Sequence, residues 1–358
     1  MMELTHQLEA FAFYYKRITF FKLPHQIEYI KQLASYMDND VNILQALDYT
    51  AEAYELTYGA DHVAVEISYE IKAASNSKEG YQAIIKKYFH PDIAVAFELI
   101  RFNNQSIEQV KEVVGLIESE KGLKKQALSQ LMVPFTIFMV GLMTLTAVGG
   151  FILPMIEART DGVVTGFEAD FGRGLWFVFS NFWFVLVPAL ATLVVFYTRI
   201  QKNWTGKARE KADQFWPFRL YRQFCGLRFL TLTGLLKRSG CEDNDAFELI
   251  SRYASPYFRS YLEQYASAFL IGEPRSKYFG HGLLDKLQII RLRRFFSGVN
   301  DTVFSNAVIA VSKQSEQDII LSSNKVVMRW QLALMVFGFI FGTLGIGIVI
   351  DGGVLLAD

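Results

Sequence analysis

Three stretches of the chain run without a single charged side chain: 131–156 (LMVPFTIFMVGLMTLTAVGGFILPMI), 174–198 and 330–350. A helix rises about 1.5 Å per residue and a bilayer core is about 30 Å thick, so roughly 20 apolar residues are needed to cross it. Each stretch therefore predicts a transmembrane helix. The competing explanation, a core helix of a large soluble protein, fits poorly because core helices seldom run this far without a polar face. Pro134, Pro154 and Pro188 fall inside these segments and predict kinks or ends, since neighbouring helices can satisfy the freed carbonyls. Trp176, Tyr197 and Trp330 sit near the boundaries, where an amphipathic ring keeps its polar atom among the headgroups.

Outside the spans the apolar positions recur every three or four residues, which predicts helices and no strands. Ile27, Ile30, Ala34 and Met37 form one stripe and Ile43, Leu47, Ala51 and Tyr54 a second. Val110, Val113, Val114 and Ile117 form a third, introduced by Ser106 and Gln109 at capping-box spacing. Residues 199–329 repeat the plan of residues 1–130. Tyr88-Phe89 recurs as Tyr278-Phe279, Leu99-Ile100-Arg101-Phe102 as Ile289-Ile290-Arg291-Leu292, and the third stripe as Phe304, Ala307, Val308 and Val311. Tyr36-Met37 ahead of Asp40, Ala46 and Leu47 parallels Leu235-Leu236 ahead of Gly240, Ala246 and Phe247. Matches in a shared order point to duplication.

The predicted fold class is thus all-α: a polytopic membrane protein with three transmembrane helices and two homologous cytoplasmic helix-bundle domains. The first bundle is 1–130, the spans are 131–156, 174–198 and 330–350, a short periplasmic loop is 157–173, the second bundle is 199–329 and the periplasmic tail is 351–358. Composition agrees, with 51% apolar residues, 31 Phe and 17 Tyr. The mean hydropathy is +0.19.

The 36 basic and 36 acidic residues leave no overall field for nucleic acid, so charge is informative only locally. Lys121, Lys124 and Lys125 precede the first span; Lys202, Lys207, Arg209 and Lys211 follow the second; Lys325 and Arg329 precede the third. The loop 157–173 has only Arg159 and Arg173, against four acids. The positive-inside rule then places both bundles and the N-terminus in the cytosol and the loop outside, in a multi-pass membrane protein. The first thirty residues are interrupted by Glu3, Glu9, Lys16, Arg17 and Lys22, which leaves no signal-peptide core. Lys124, Lys125, Lys207 and Arg209 are expected to contact anionic lipid.

Chemistry-bearing motifs are sparse. No Gly-x-x-x-x-Gly-Lys-Ser/Thr loop occurs, so ATP hydrolysis by this chain is not expected. Asp38, Asp40 and Asn42 imitate the start of a calcium loop, but Ile43 and Tyr49 stand where glycine and glutamate are needed, and a helix-connecting turn is the better reading. His6, His25, His62, His90 and His281 lack zinc-ligand spacing and read as surface or turn residues. Cys225 and Cys241 read as reduced thiols on helices. No cofactor is implied, and the chain is not expected to be an enzyme. The spans hold no acid or base of the kind that marks a transport path. Gly338 and Gly342, followed by Gly345 and Gly347, predict a face of the third span open to close helix contact, within the chain or between protomers.

These residues resemble the platform proteins of type II secretion and type IV pilus assembly, the general secretion F protein and its PilC-like relatives. The resemblance covers nearly the whole chain. The family pattern Leu-Leu-x-x-Gly-x-x-Leu-x-x-Ala-Leu is matched in part by Tyr36, Met37, Asp40, Ile43, Ala46 and Leu47. A second partial match comes from Gly240 and Ala246, with one extra residue before the glycine and Asp243 in place of a leucine. The family's Gly-Glu-x-Ser-Gly stretch survives only as Ser297-Gly298. Asp40, Gly240, Ser297 and Gly298 would be the repeat-motif turns, and the departures suit a divergent type IVb or plasmid-borne pilus branch.

The resemblance implies an inner-membrane platform coupling a hexameric assembly ATPase to polymerisation of pilin or pseudopilin subunits. It also implies contacts with other inner-membrane assembly proteins, with membrane lipid and with further copies of the chain. The rival readings are a receptor or sensor scaffold for a soluble signalling partner, for which the 157–173 loop is small, and a membrane enzyme, for which the sequence offers no recognisable clustered acid, base or metal site.

Overall fold

The computed structural model describes residues 21–37, 41–75, 77–102, 107–160, 163–296 and 300–357. Among these every regular element is a helix. Three helices are long and apolar enough to cross a membrane, over Glu108–Arg159, Phe167–Asn203 and Asp301–Val354. In chain order the helices are α1 (Leu23–Met37), α2 (Ile43–Tyr58), α3 (Val63–Ala74), α4 (Lys78–Tyr88), α5 (Pro91–Phe102) and α6 (Ile107–Ala147). After a π-helical segment, Val148–Ile152, come α7 (Leu153–Thr160), α8 (Phe167–Asn203), α9 (Lys207–Ala212), α10 (Phe218–Arg238), α11 (Asp243–Tyr253) and α12 (Pro256–Leu270). The last are α13 (Arg275–Tyr278), α14 (Lys286–Leu292) and α15 (Asp301–Ala357).

The chain forms two compact units. One takes the residues up to Glu120 together with Lys202–Glu316; the other takes Lys121–Gln201 and Gln317 onward. Most of the expected bundles 1–130 and 199–329 therefore share one unit, while 121–130, 199–201 and 317–329 fall in the other; the buried side chains of the two halves form one continuous apolar cluster. The four predicted stripes lie in it, with Ile43 at its edge and Ala307 buried beside it. Aromatic rings dominate each half. Phe89 packs on Phe21, Tyr29 and Phe97 at centroid distances of 5.4, 5.5 and 4.7 Å. Phe279 packs on Phe229 and Tyr278 at 5.3 and 5.2 Å.

Local chemistry sets the helix ends. Asn42, from the imitation calcium loop, caps α2 by accepting from the Gln45 N–H at 2.9 Å. His62 caps α3, and Ser255 precedes Pro256 at the start of α12. Gly240 ends α10 with φ +83°, the Gly240 N–H donating to Lys237 O and the Cys241 N–H to Leu236 O, both at 3.0 Å. That is the Schellman arrangement, which needs a residue free of Cβ strain. Cys241 consequently sits in the α10–α11 loop and not on a helix as expected; both thiols are free and buried.

In the other unit, π-helical Val148–Ile152 precedes Pro154, where a proline ring would clash with the carbonyl four residues back; the wider turn relieves the conflict. Pro134 and Pro188 lie inside continuous helices. Leu145, Val148, Leu153, Ile156, Val164, Ala169 and Ile348 form a small buried cluster.

Candidate interaction sites

The first site joins the two halves of the bundle. Asp92, in the first turn of α5, and Glu120, on α6, both face Arg228 of α10, whose Nη2 lies 3.1 Å from Asp92 Oδ2 and 2.5 Å from Glu120 Oε2. Burial alone would lower the pKa of this guanidinium, but the two carboxylates hold it above its ordinary value. His90, beside Asp92, is pushed below the usual imidazole range by burial. Around this triad the Tyr253 hydroxyl donates to Glu98 Oε1 at 2.9 Å and the Ser239 hydroxyl to Gln109 Oε1 at 2.7 Å. Lys313 pairs with Glu112 at 3.2 Å, and Ser119 bonds Glu316. Gln109 thus reaches across to the second half, and Ser106, its expected capping partner, lies outside the described residues.

A second cluster binds Asp243. Lys237 Nζ at 3.1 Å, Arg275 Nε at 3.0 Å and the Tyr278 hydroxyl at 2.8 Å converge on its carboxylate, and Arg275 and Lys237 also hold Asp301. Two cations and one hydroxyl donor, from three other positions, thus compensate this buried carboxylate.

In the membrane unit the glycines set helix distances. A Cβ on Gly338 would lie 2.8 Å from Phe138 Cα, and one on Gly141 only 2.1 Å from Gly338 O, so α6 and α15 touch backbone to backbone here. Gly345 faces Thr144 and Leu145, whereas a Cβ on Gly342 would meet nothing within 4 Å. The close face therefore runs through Gly338 and Gly345. Gly149 approaches Gly172 equally closely, and Gly150 underlies the Trp176 ring. At the end of α8 opposite Asn203, Arg173 pairs with Glu157 and Asp170 and donates to Val164 O at 2.7 Å.

Of the expected repeat-motif turns, Gly240 is placed; Asp40, Ser297 and Gly298 lie outside the described residues, as do Asp38 and His6. Arg209, expected to contact lipid, is instead 1% exposed and ringed by aromatics. Among the described residues no three His, Cys, Asp or Glu side chains gather to hold a metal. No protein-family model matches the chain, and no curated protein matches it.

Proposed function

We propose that this protein is an inner-membrane platform of a type IV pilus or type II secretion machine, with both halves of its bundle cytoplasmic. In this reading it couples a hexameric assembly ATPase to the polymerisation of pilin or pseudopilin subunits. The observation that carries the reading is the Asp92–Arg228–Glu120 clasp between the two halves. A body that relays position or force must not let its halves slide, and an ion triad with little solvent around it resists sliding because breaking it strands a charge. The same two halves supply α6 and α15, each of which combines a buried stripe with a membrane-length apolar run in one helix.

The halves arose by duplication. What supports this is that, among the described residues, six helices, α1 to α6, lead into the first span and six, α10 to α15, into the third, with Tyr88-Phe89 and Tyr278-Phe279 at the ends of α4 and α13. The close-packed glycines Gly338 and Gly345 hold the third span against the first, and further copies of the chain complete the working assembly. Deleting the gene should abolish surface fibres or secretion while leaving pilin levels normal, and cysteines introduced in both halves should crosslink to an assembly ATPase. Unaltered fibres in the deletion strain would refute the proposal.

A further inference from the structure

The chain between the second span and the second half of the bundle is built as an elbow. Helix α8 continues only five residues past Thr198, about 8 Å of rise, which is the depth of a headgroup layer. Gly206, at φ +98°, then turns the chain into α9. Within this short helix Arg209 points inward. Its guanidinium stacks 4.4 Å from the Phe218 ring centroid and 4.5 Å from that of Tyr257, with Trp204 and Tyr221 about the same cage. Arg209 Nη2 lies 3.3 Å from Asp213 Oδ1, and Asp213 Oδ2 accepts from the Tyr257 hydroxyl at 2.7 Å.

This plug fixes the roll of α9. Residues two before and two after Arg209 lie about 160° round the helix, so Lys207 and Lys211 face the opposite way, and both are exposed. Lys202 and Arg219 are exposed at either end of the elbow, with Glu210 the one exposed carboxylate in 202–219. Beside them stand Phe215, 70% exposed, and Trp216, 43% exposed, with Trp204 also at the surface.

We infer that this elbow is a lipid-binding surface: Phe215 and Trp216 enter the interface of the bilayer while Lys202, Lys207, Lys211 and Arg219 take anionic headgroups. Aromatic rings beside an excess of cations match the chemistry of an anionic leaflet, and the elbow follows the membrane span within a few residues. Arg209, the residue nearest these lysines in type and position, does not bind lipid; it is the internal pin that presents them.

The inference depends on the chain being membrane-embedded and not on its role in fibre assembly, so the two fail separately. The test uses the full chain in lipid nanodiscs, with the fluorophore nitrobenzoxadiazole on Phe215→Cys and, as a second reporter, Gln214→Cys; Cys225 and Cys241 are buried. Leu56→Cys, on the exposed face of α2, is the water-facing control. In nanodiscs with phosphatidylglycerol, bleaching by dithionite at 215 should be slower than at 56 by roughly tenfold, and the combined variant Lys202→Gln, Lys207→Gln, Lys211→Gln, Arg219→Gln should remove most of that protection. Equal bleaching at 214, 215 and 56 would overturn the inference. So would protection that persists unchanged in detergent without lipid, which would mean that protein covers the elbow.

Discussion

Replacing Arg228 by methionine removes a cation that Asp92 and Glu120 share while keeping most of the side-chain volume. The side chains of Arg228, Asp92 and Glu120 are 20%, 7% and 12% exposed, so solvent can screen little of the stranded charge. Breaking a buried pair from one side costs about 3–5 kcal/mol. At 1.36 kcal/mol per tenfold, that is roughly a 150- to 5,000-fold rise in the fraction of molecules with this region open. Cys225, one turn earlier on α10, reports the opening, since its thiol is buried and burial pushes its pKa up to about 12. In a Cys241→Ser background, alkylation of Cys225 in detergent at pH 8 should accelerate by two orders of magnitude or more in Arg228→Met. Adding Asp92→Leu and Glu120→Leu removes the stranded carboxylates and should return the rate to near that of the parent. A rate within about threefold of the parent in the single variant would refute the clasp. A triple variant as open as the single would show that lost packing, and not stranded charge, is responsible.

Four other substitutions test separate parts of the structure. Tyr253→Phe leaves Glu98 buried without its donor and should destabilise the bundle by about 1–3 kcal/mol, read as a lower unfolding midpoint in denaturant. Gly338→Ala should cost about 1–3 kcal/mol by forcing α6 and α15 apart, whereas Gly342→Ala should leave the melting temperature unchanged, because only the first Cβ meets backbone. The hydrogen bond from Arg275, with help from Lys237, holds the Asp301 carboxyl below the usual carboxylate range. A depressed folded pKa contributes stability that is present above the unfolded value, about 3.9, and is lost as pH falls through the folded one. Asp301→Asn should therefore melt below the parent at pH 6, and the gap should narrow as the pH falls below about 4.

What could be read in the sequence is what depends on local pattern. The spans are legible because an uncharged run of membrane length has few alternatives, and the stripes Val110 to Ile117 and Phe304 to Val311 because helical spacing leads inward whatever the partner. The clasp is not legible. Asp92, Glu120 and Arg228 are ordinary charged residues on separate helices, and only packing across more than a hundred residues of chain gives them a common position. Arg209 misleads for the same reason: next to Lys207 and Lys211 it reads as one more surface cation, and the rings of Phe218 and Tyr257 that bury it come from later helices. Likewise Gly342 matches a small-x-x-x-small spacing, yet the packed pair is Gly338 and Gly345, because facing the same neighbour along a long interface favours a seven-residue step over a four-residue one. The π-helical turn before Pro154 also escapes pattern reading, which locates a proline but not how the preceding turn absorbs it.

The central claim is a triple membrane anchor that leaves both halves of the bundle on one side. Single cysteines at Leu56 and Gln264, exposed in the first and second halves, and at Val163, exposed between the first two spans, test it directly. With a membrane-impermeant maleimide on intact cells stripped of their outer membrane, the account predicts labelling at 163 alone, with 56 and 264 reacting only after lysis. Labelling of 56 and 264 from opposite sides would contradict it.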